Sequence, residues 1–252
     1  MKQMKFFLVA LMAVVMGMSV TSCMNGNDDN GPRSFNVIAK LDSYGSNFKT
    51  MDGTKWVPTD IGSIMLLESG MYIISGQYND EDVNASTATI TFTLTSTPTK
   101  IDGPAVTATP ETADAAMYAL NYENAYYPTM FDENILILPA MFHFKNSSNP
   151  TEVAEEIKKH KFVISYKEEE VTEGAETLNL YVNHIITEDK DEVRATDYTL
   201  SYQAYDLSYI ISRFPTLKKI VVNAKVNPSS NKLDDSNTRD EKFEIDYTKI
   251  TE

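Results

Sequence analysis

The chain has 252 residues, with 36 Asp and Glu against 22 Lys and Arg, a formal charge of −14 and a single cysteine. An acidic body with no basic stripe lacks the counterion-release term that dominates nucleic-acid affinity, which excludes nucleic acid as a partner class. One cysteine excludes an intrachain disulfide. The length suffices for one large or two modest domains with cores of their own.

Lys2 and Lys5 open the chain, and Phe6 to Val20 follows without a charge, which is the order of a secretory signal peptide. As a helix this run reaches about 22 Å, short of the ~30 Å hydrocarbon core, so it reads as a targeting segment rather than a permanent span. Val20-Thr21-Ser22-Cys23 resembles the lipobox of bacterial lipoproteins. The resemblance implies cleavage between Ser22 and Cys23 and a lipid on the Cys23 thiol. Several acyl chains, at roughly 0.8 kcal/mol per buried CH₂, make a stable membrane anchor. Removing residues 1–22 leaves 230 residues at a formal −16. Residues 23–33 then form a lipidated tether, too poor in apolar side chains to pack, that spans roughly 17 Å as a flexible coil. Asp28 and Asp29 within it have two readings: plain solvation, or a surface-export signal like those of Bacteroidota lipoproteins.

From residue 34 the dominant period is two. In Ser86 to Thr97, Ala88, Ile90, Phe92 and Leu94 alternate with Thr87, Thr89, Thr91, Thr93 and Thr95, as a half-buried strand requires. The threonine side reads as strand propensity on a solvated face rather than as a binding ladder. Further strands are expected at 35–41, 47–50, 64–67, 72–78, 135–144, 162–166, 178–185, 198–205, 220–226 and 242–247, separated by Asp-Gly, Glu-Gly and Asn-Pro turn signals. One helix is expected after Asn149, which can cap it, with Pro150 at its first position and Lys158, Lys159 and His160 at its cation-favouring end. A second, short helix at 206–213 is stopped by Pro215. Residues 100–113, with two prolines, a glycine and little periodicity, are the place for a domain boundary. This density of strands makes the protein mainly β.

With these pieces in place the chain resembles the NigD-like lipoproteins of Bacteroidota. The likeness is carried by the lipobox and acidic tether, by NVIAKLDSYGSNFKTMDGTKWVPTD from Asn36, by ESGMYIISGQYND from Glu68, and by the later NILILPAMFHF, LNLYVNH and YQAYDLSYI. It implies an N-terminal OB-like β-barrel, placed at 34–105, followed by a C-terminal β-sandwich at 106–252 with one or two short helices. It carries no catalytic residues to transfer. The helix-bearing stretch 147–161 and the acidic hairpin 229–241 are larger than the family pattern leads one to expect.

Motifs for chemistry are absent from the sequence. His143, His160 and His184 fall on different expected elements, outside any H-E-x-x-H, so no metal or other cofactor is implied. His143 and His184 sit at strand ends from which they could approach each other. No G-x-S-x-G, P-loop or G-x-G-x-x-G occurs. The acidic runs miss the calcium-loop spacing. The richest feature is MYALNYENAYYPTMF, where Tyr118, Tyr122, Tyr126, Tyr127 and Phe131 crowd together. Tyr122, Tyr126 and Tyr127 are candidates for stacking on sugar rings, against the alternative that they seal sandwich edges.

The expected function is therefore that of a lipid-anchored, non-enzymatic binding or interaction protein of the outer membrane, facing the cell surface, with a glycan or an envelope protein as partner. The alternatives are a glycan-binding accessory lipoprotein, a hydrolase using a carboxylate pair, and a bacteriocin-associated immunity lipoprotein, the last suggested by the family alone.

Overall fold

The computed structural model describes residues 31–42, 46–109, 112–172, 174–195 and 197–250. Ser22, Cys23, Asp28 and Asp29, and with them the readings of cleavage, lipidation and export, lie outside the described residues. The described chain forms two compact units that divide between Asp102 and Gly103.

The first unit contains β1 (Arg33–Leu41), β2 (Phe48–Lys49), β3 (Lys55–Pro58), β4 (Gly70–Tyr78), β5 (Val83–Asn84), β6 (Thr89–Leu94) and β7 (Thr99–Lys100). β1 pairs with β2 and β4, β2 with β3, and β3 runs parallel to β6. β6 returns to β4 at Gly76↔Leu94 and Gln77↔Thr93, closing a five-stranded ring of OB-like order. Inside the ring Trp56 lies tilted against Phe35 with centroids 4.2 Å apart and edge to face with Tyr78 at 5.7 Å and Phe92 at 5.9 Å.

The closure turns on Gly76, which is opposite Phe35 on one side and Leu94 on the other. A Cβ there would lie 2.6 Å from the Thr93 carbonyl and 2.8 Å from the Phe35 ring, so only glycine lets the two strands approach β4 together.

Two sequence expectations change here. Residues 64–67 are not a strand: they turn after a 3₁₀ segment at Ile61–Ser63, through bonds from the Ile64 and Leu67 amides to Ile61 and Ile64. The edges left beside the ring are taken by the short strands β7, on β4, and β5, on β6. Ile64 plugs the core with Leu67 packed against it, while Met65 and Leu66 stand 71% and 95% exposed. The threonine-rich strand starts at Thr89, because Ala88 adopts a φ of 47° in the preceding turn.

The second unit contains β8 (Thr129–Met130), β9 (Ile135–Phe144), α1 (Pro150–Lys158), β10 (His160–Ser165), β11 (Thr177–Ile186), β12 (Asp197–Asp206), α2 (Ser208–Ile211), β13 (Lys219–Val226) and β14 (Arg239–Asp246). Four strands form one sheet, β10-β11-β13-β14, and three form the other, β12-β9-β8. Leu136, Leu138, Ala140, Phe142 and Phe144 of β9 share a core with Phe162, Leu180, Val222 and Ile245 of the larger sheet, which makes the pair a sandwich.

Asn149 caps α1 by accepting the Thr151 amide at 3.0 Å. His160, expected at the helix end, instead opens β10 and is buried. Short β8 and the helix α2 complete the β9 side.

Residues 103–127 are not a plain linker. They bridge Thr107 to Ser165, Ala115 to His184, Met117 to Val226 and Ala119 to Met141, touching β10, β11, β13 and β9 in turn.

Trp56 is the sole tryptophan and sits in the barrel core, so its fluorescence reports barrel unfolding. Gly76→Ala is expected to destabilise the barrel by about 1–3 kcal/mol through overpacking. The measurement is the urea midpoint of Trp56 emission, and an unchanged midpoint removes Gly76 from the closure.

Candidate functional site

Three arrangements in the second unit gather chemistry-bearing side chains. The first is the tyrosine group. Residues 118–126 lie over the face of the three-stranded sheet that carries His143 and Tyr198. Tyr118 stacks on Tyr198 with centroids 4.3 Å apart and meets His143 edge-on at 5.2 Å. The hydroxyls of Tyr122 and Tyr198 bond at 3.3 Å, and that bond, with burial second, raises the Tyr122 pKa well above its usual value. Tyr126 tilts beside Tyr122. Tyr127 is elsewhere, stacked on Phe243 of β14 at 5.0 Å. The structure thus joins Tyr122 to Tyr126 but not to Tyr127, and adds Tyr198. All of these rings are half-buried against one another.

The second arrangement is buried and ionic. Arg194, 1% exposed, gives its Nε–H to Glu156 of α1 and its other guanidinium protons to the carbonyls of Glu188, Asp189 and Glu192. Burial alone would raise the Glu156 carboxyl; the Arg194 bond and the Lys145 amide hold it below the usual range. Next to it the rings of His160 and His184 meet, Nδ1 to Nε2, at 2.8 Å.

The protons follow from the partners. His184 Nδ1 faces the Ala116 carbonyl at 3.3 Å and must carry a proton, so its Nε2 accepts from His160 Nδ1. His160 Nε2 is then a bare lone pair, 3.5 Å from the Glu156 carboxylate and without a hydrogen-bond partner. The sequence expectation brought His143 toward His184; instead His184 pairs with His160, the first residue of β10, while His143 Nε2 bonds the Asn227 carbonyl at 3.1 Å. Antiparallel pairing places His160 opposite Ile186, two residues from His184, and this register was not visible in the sequence. Among the described residues no group of three or more His, Cys, Asp or Glu is placed to hold a metal.

The third arrangement is a groove of about 450 Å³ on the outer face of the four-stranded sheet. Alternation puts Tyr181 and Asn183 of β11, Asn223 and Lys225 of β13, and Asp240 and Lys242 of β14 on that face. The wall at one end is the segment 112–117, which bridges β11 and β13; Leu233, from the loop before β14, lines the other side.

Both asparagines donate their amides downward. Asn183 Nδ2 bonds Ser165 Oγ at 3.1 Å, and Asn223 Nδ2 bonds the Leu180 carbonyl at 3.0 Å, which leaves each side-chain carbonyl oxygen as the group offered to the groove. Tyr181 gives its hydroxyl proton to Glu170 at 2.8 Å, and the Lys167 ammonium lies 4.5 Å from the ring centre. No sequence motif marks this groove. The only signal was the polar phase of the alternating run Asn179, Tyr181, Asn183.

No family model and no curated protein matches the chain. Among solved structures it is similar to a "putative lipoprotein" from Bacteroides fragilis, with 26% identity and a TM-score of 0.74 over 85% of this chain and 98% of that one. It shares a fold with a protein of unknown function from Bacteroides vulgatus, at 12% identity and a TM-score of 0.50 over 85% and 90% of the two chains. A NigD-like immunity protein from Bacteroides caccae is similar at 12% identity and a TM-score of 0.48, over 87% and 99%. None of the three is named for an enzymatic activity.

The buried histidines predict a pH dependence. Burial pushes His160 down to about 4 and His184 down to about 3, so an unfolded chain takes up their protons first as pH falls. Their contribution to stability is complete above about pH 7 and is lost as pH falls, through about 4 for His160 and about 3 for His184. The urea midpoint of the second unit, followed by near-ultraviolet circular dichroism of its tyrosines, is expected to fall across that window, with a shallower slope in His160→Gln. Arg194→Met, which strands Glu156, is expected to cost about 3–5 kcal/mol at pH 7, measured by the same denaturation.

The likeness to the "putative lipoprotein" from Bacteroides fragilis, over 85% of this chain, is consistent with the Bacteroidota lipoproteins that the sequence resembles.

Proposed function

We propose that the protein is a lipid-anchored binding protein of the outer membrane, facing the cell surface, that holds a ligand in the groove on its four-stranded sheet. The observation that carries this reading is the groove itself. It is a described surface where unengaged hydrogen-bond acceptors, an aromatic ring and a cation converge, and its floor is formed by strands β11, β13 and β14.

What it offers is binding chemistry. At its rim Lys225 and Asp240 are paired at 3.1 Å, and beneath it both ring nitrogens of His184 are engaged. A hydrolase needs a free acid and base aimed into the cavity, so these engagements favour a non-enzymatic role. The likeness to a lipoprotein candidate supports the anchor, for which the Cys23 lipobox is the chemical basis.

Two measurements test the reading. Cys23→Ala is expected to move the protein from the membrane pellet to the soluble fraction with its fold intact; a variant that stays in the pellet overturns the anchor. Ala113→Trp, on the groove wall and off the sheet, is expected to abolish retention on an array of envelope polysaccharides and peptides without lowering the urea midpoint. Retention that survives this substitution moves the binding site elsewhere.

A further inference from the structure

The charges around the groove are not evenly matched. On β14, Asp240, Lys242 and Glu244 point to the same outer face. The two carboxylates are taken by lysines of β13: Asp240 by Lys225 at 3.1 Å and Glu244 by Lys219 at 2.8 Å. Lys242, between them, is opposite Asn223 and has no ion-pair partner among the described residues. In a chain of net charge −14 this leaves one uncompensated ammonium in the groove, bracketed by pairs that fix its position between two satisfied carboxylates.

The same row continues across the sheet. Tyr181 pairs with Asn223, and Asn223 with Lys242, so ring, amide carbonyl and ammonium follow one another on adjacent strands, spanning about 10 Å at the usual strand spacing. Asn183 adds a second carbonyl acceptor beside this row, and Met117, Ala115 and Leu233 supply apolar wall.

We infer that the groove takes a saccharide bearing a carboxylate, that is, a uronic-acid-type sugar within a glycan. This deepens the binding role proposed above and rests on it. The carboxylate meets Lys242, ring hydroxyls donate to the Asn223 and Asn183 carbonyls, and the apolar C–H face of a sugar ring lies against Tyr181 and the apolar wall. A peptide adding as a β-strand is disfavoured, because β11 and β13, which carry the ring and the amides, are interior strands with both edges paired. A polyphosphate or nucleic-acid strand would require a run of cations where the groove supplies one.

The test is calorimetric titration of the full mature chain, in wild-type form and as Lys242→Ala, Lys242→Arg and Ala113→Trp, with three probes: an oligogalacturonide of three sugars, its fully methyl-esterified form, and a short Glu-rich peptide. The expected result is binding of the free acid, weakened about tenfold by esterification and by Lys242→Ala, restored by Lys242→Arg and lost in Ala113→Trp. Equal affinity for acid and ester, or indifference to Lys242→Ala, overturns recognition of the carboxylate while leaving the groove as a binding site. Binding of the peptide alone, blocked by Ala113→Trp, overturns the saccharide in favour of an acidic polypeptide at the same groove. Failure of all three probes to bind overturns the inference. Lys242 is exposed and unpaired, so its loss does not threaten the fold, and an unchanged urea midpoint verifies this.

Discussion

Ten consecutive buried residues, Ile135–Phe144, set the terms for the second unit. A strand buried on both faces needs apolar cover on both, and β9 obtains it from unlike sources. Its even-numbered side chains face the four-stranded sheet in the main core. Its odd-numbered face, with Met141 and His143, receives residues 118–126, which bring tyrosines rather than another sheet. The tyrosine group is best understood as this cover: its rings are stacked on one another, and the Tyr122 and Tyr198 hydroxyls satisfy each other. Tyr127 does the same at a different place, closing the sandwich beside Phe243.

The segment that covers β9 also has to reach it from the barrel, and its path determines the groove. Crossing the ends of β11 and β13 at Ala115 and Met117, it raises a wall over a face that would otherwise be an open sheet surface. Beneath that crossing lie the histidine pair and the Glu156–Arg194 ion pair, which tie α1, β10, β11 and the turn at 188–194 together. Such a network is costly to desolvate and is kept only with every charge matched, as Arg194 is by one carboxylate and three carbonyls. It fixes the end of the sheet on which the groove is built. The groove and its buried support are therefore parts of one construction.

Most strands were legible as segments, because period-two alternation survives in the sequence wherever one face is solvated. Residues 135–144 were expected and found with the same bounds, and β11 to β14 differ by no more than three residues at either end. Misreadings have local causes. The apolar run at 64–67 looked like a strand, yet its Ile64 and Leu67 amides are taken by local turn bonds to the Ile61 and Ile64 carbonyls. Four-residue β3 and two-residue β5, β7 and β8 are too short to show a period at all.

By itself the sequence determined a mainly β chain in two parts, a net acidic composition, and the positions of caps and turns at Asn149, Pro150 and Pro215. These follow from local rules of periodicity, charge and backbone geometry, which act within a few residues. Only the tertiary structure decided that His184 meets His160 rather than His143, that Tyr127 parts from Tyr122 and Tyr126, and that Tyr181, Asn223 and Lys242 align in one row. His160 and His184 are 24 positions apart, and Tyr181, Asn223 and Lys242 span 61. Which of them become neighbours is set by strand order and register, and neither is written in any one strand.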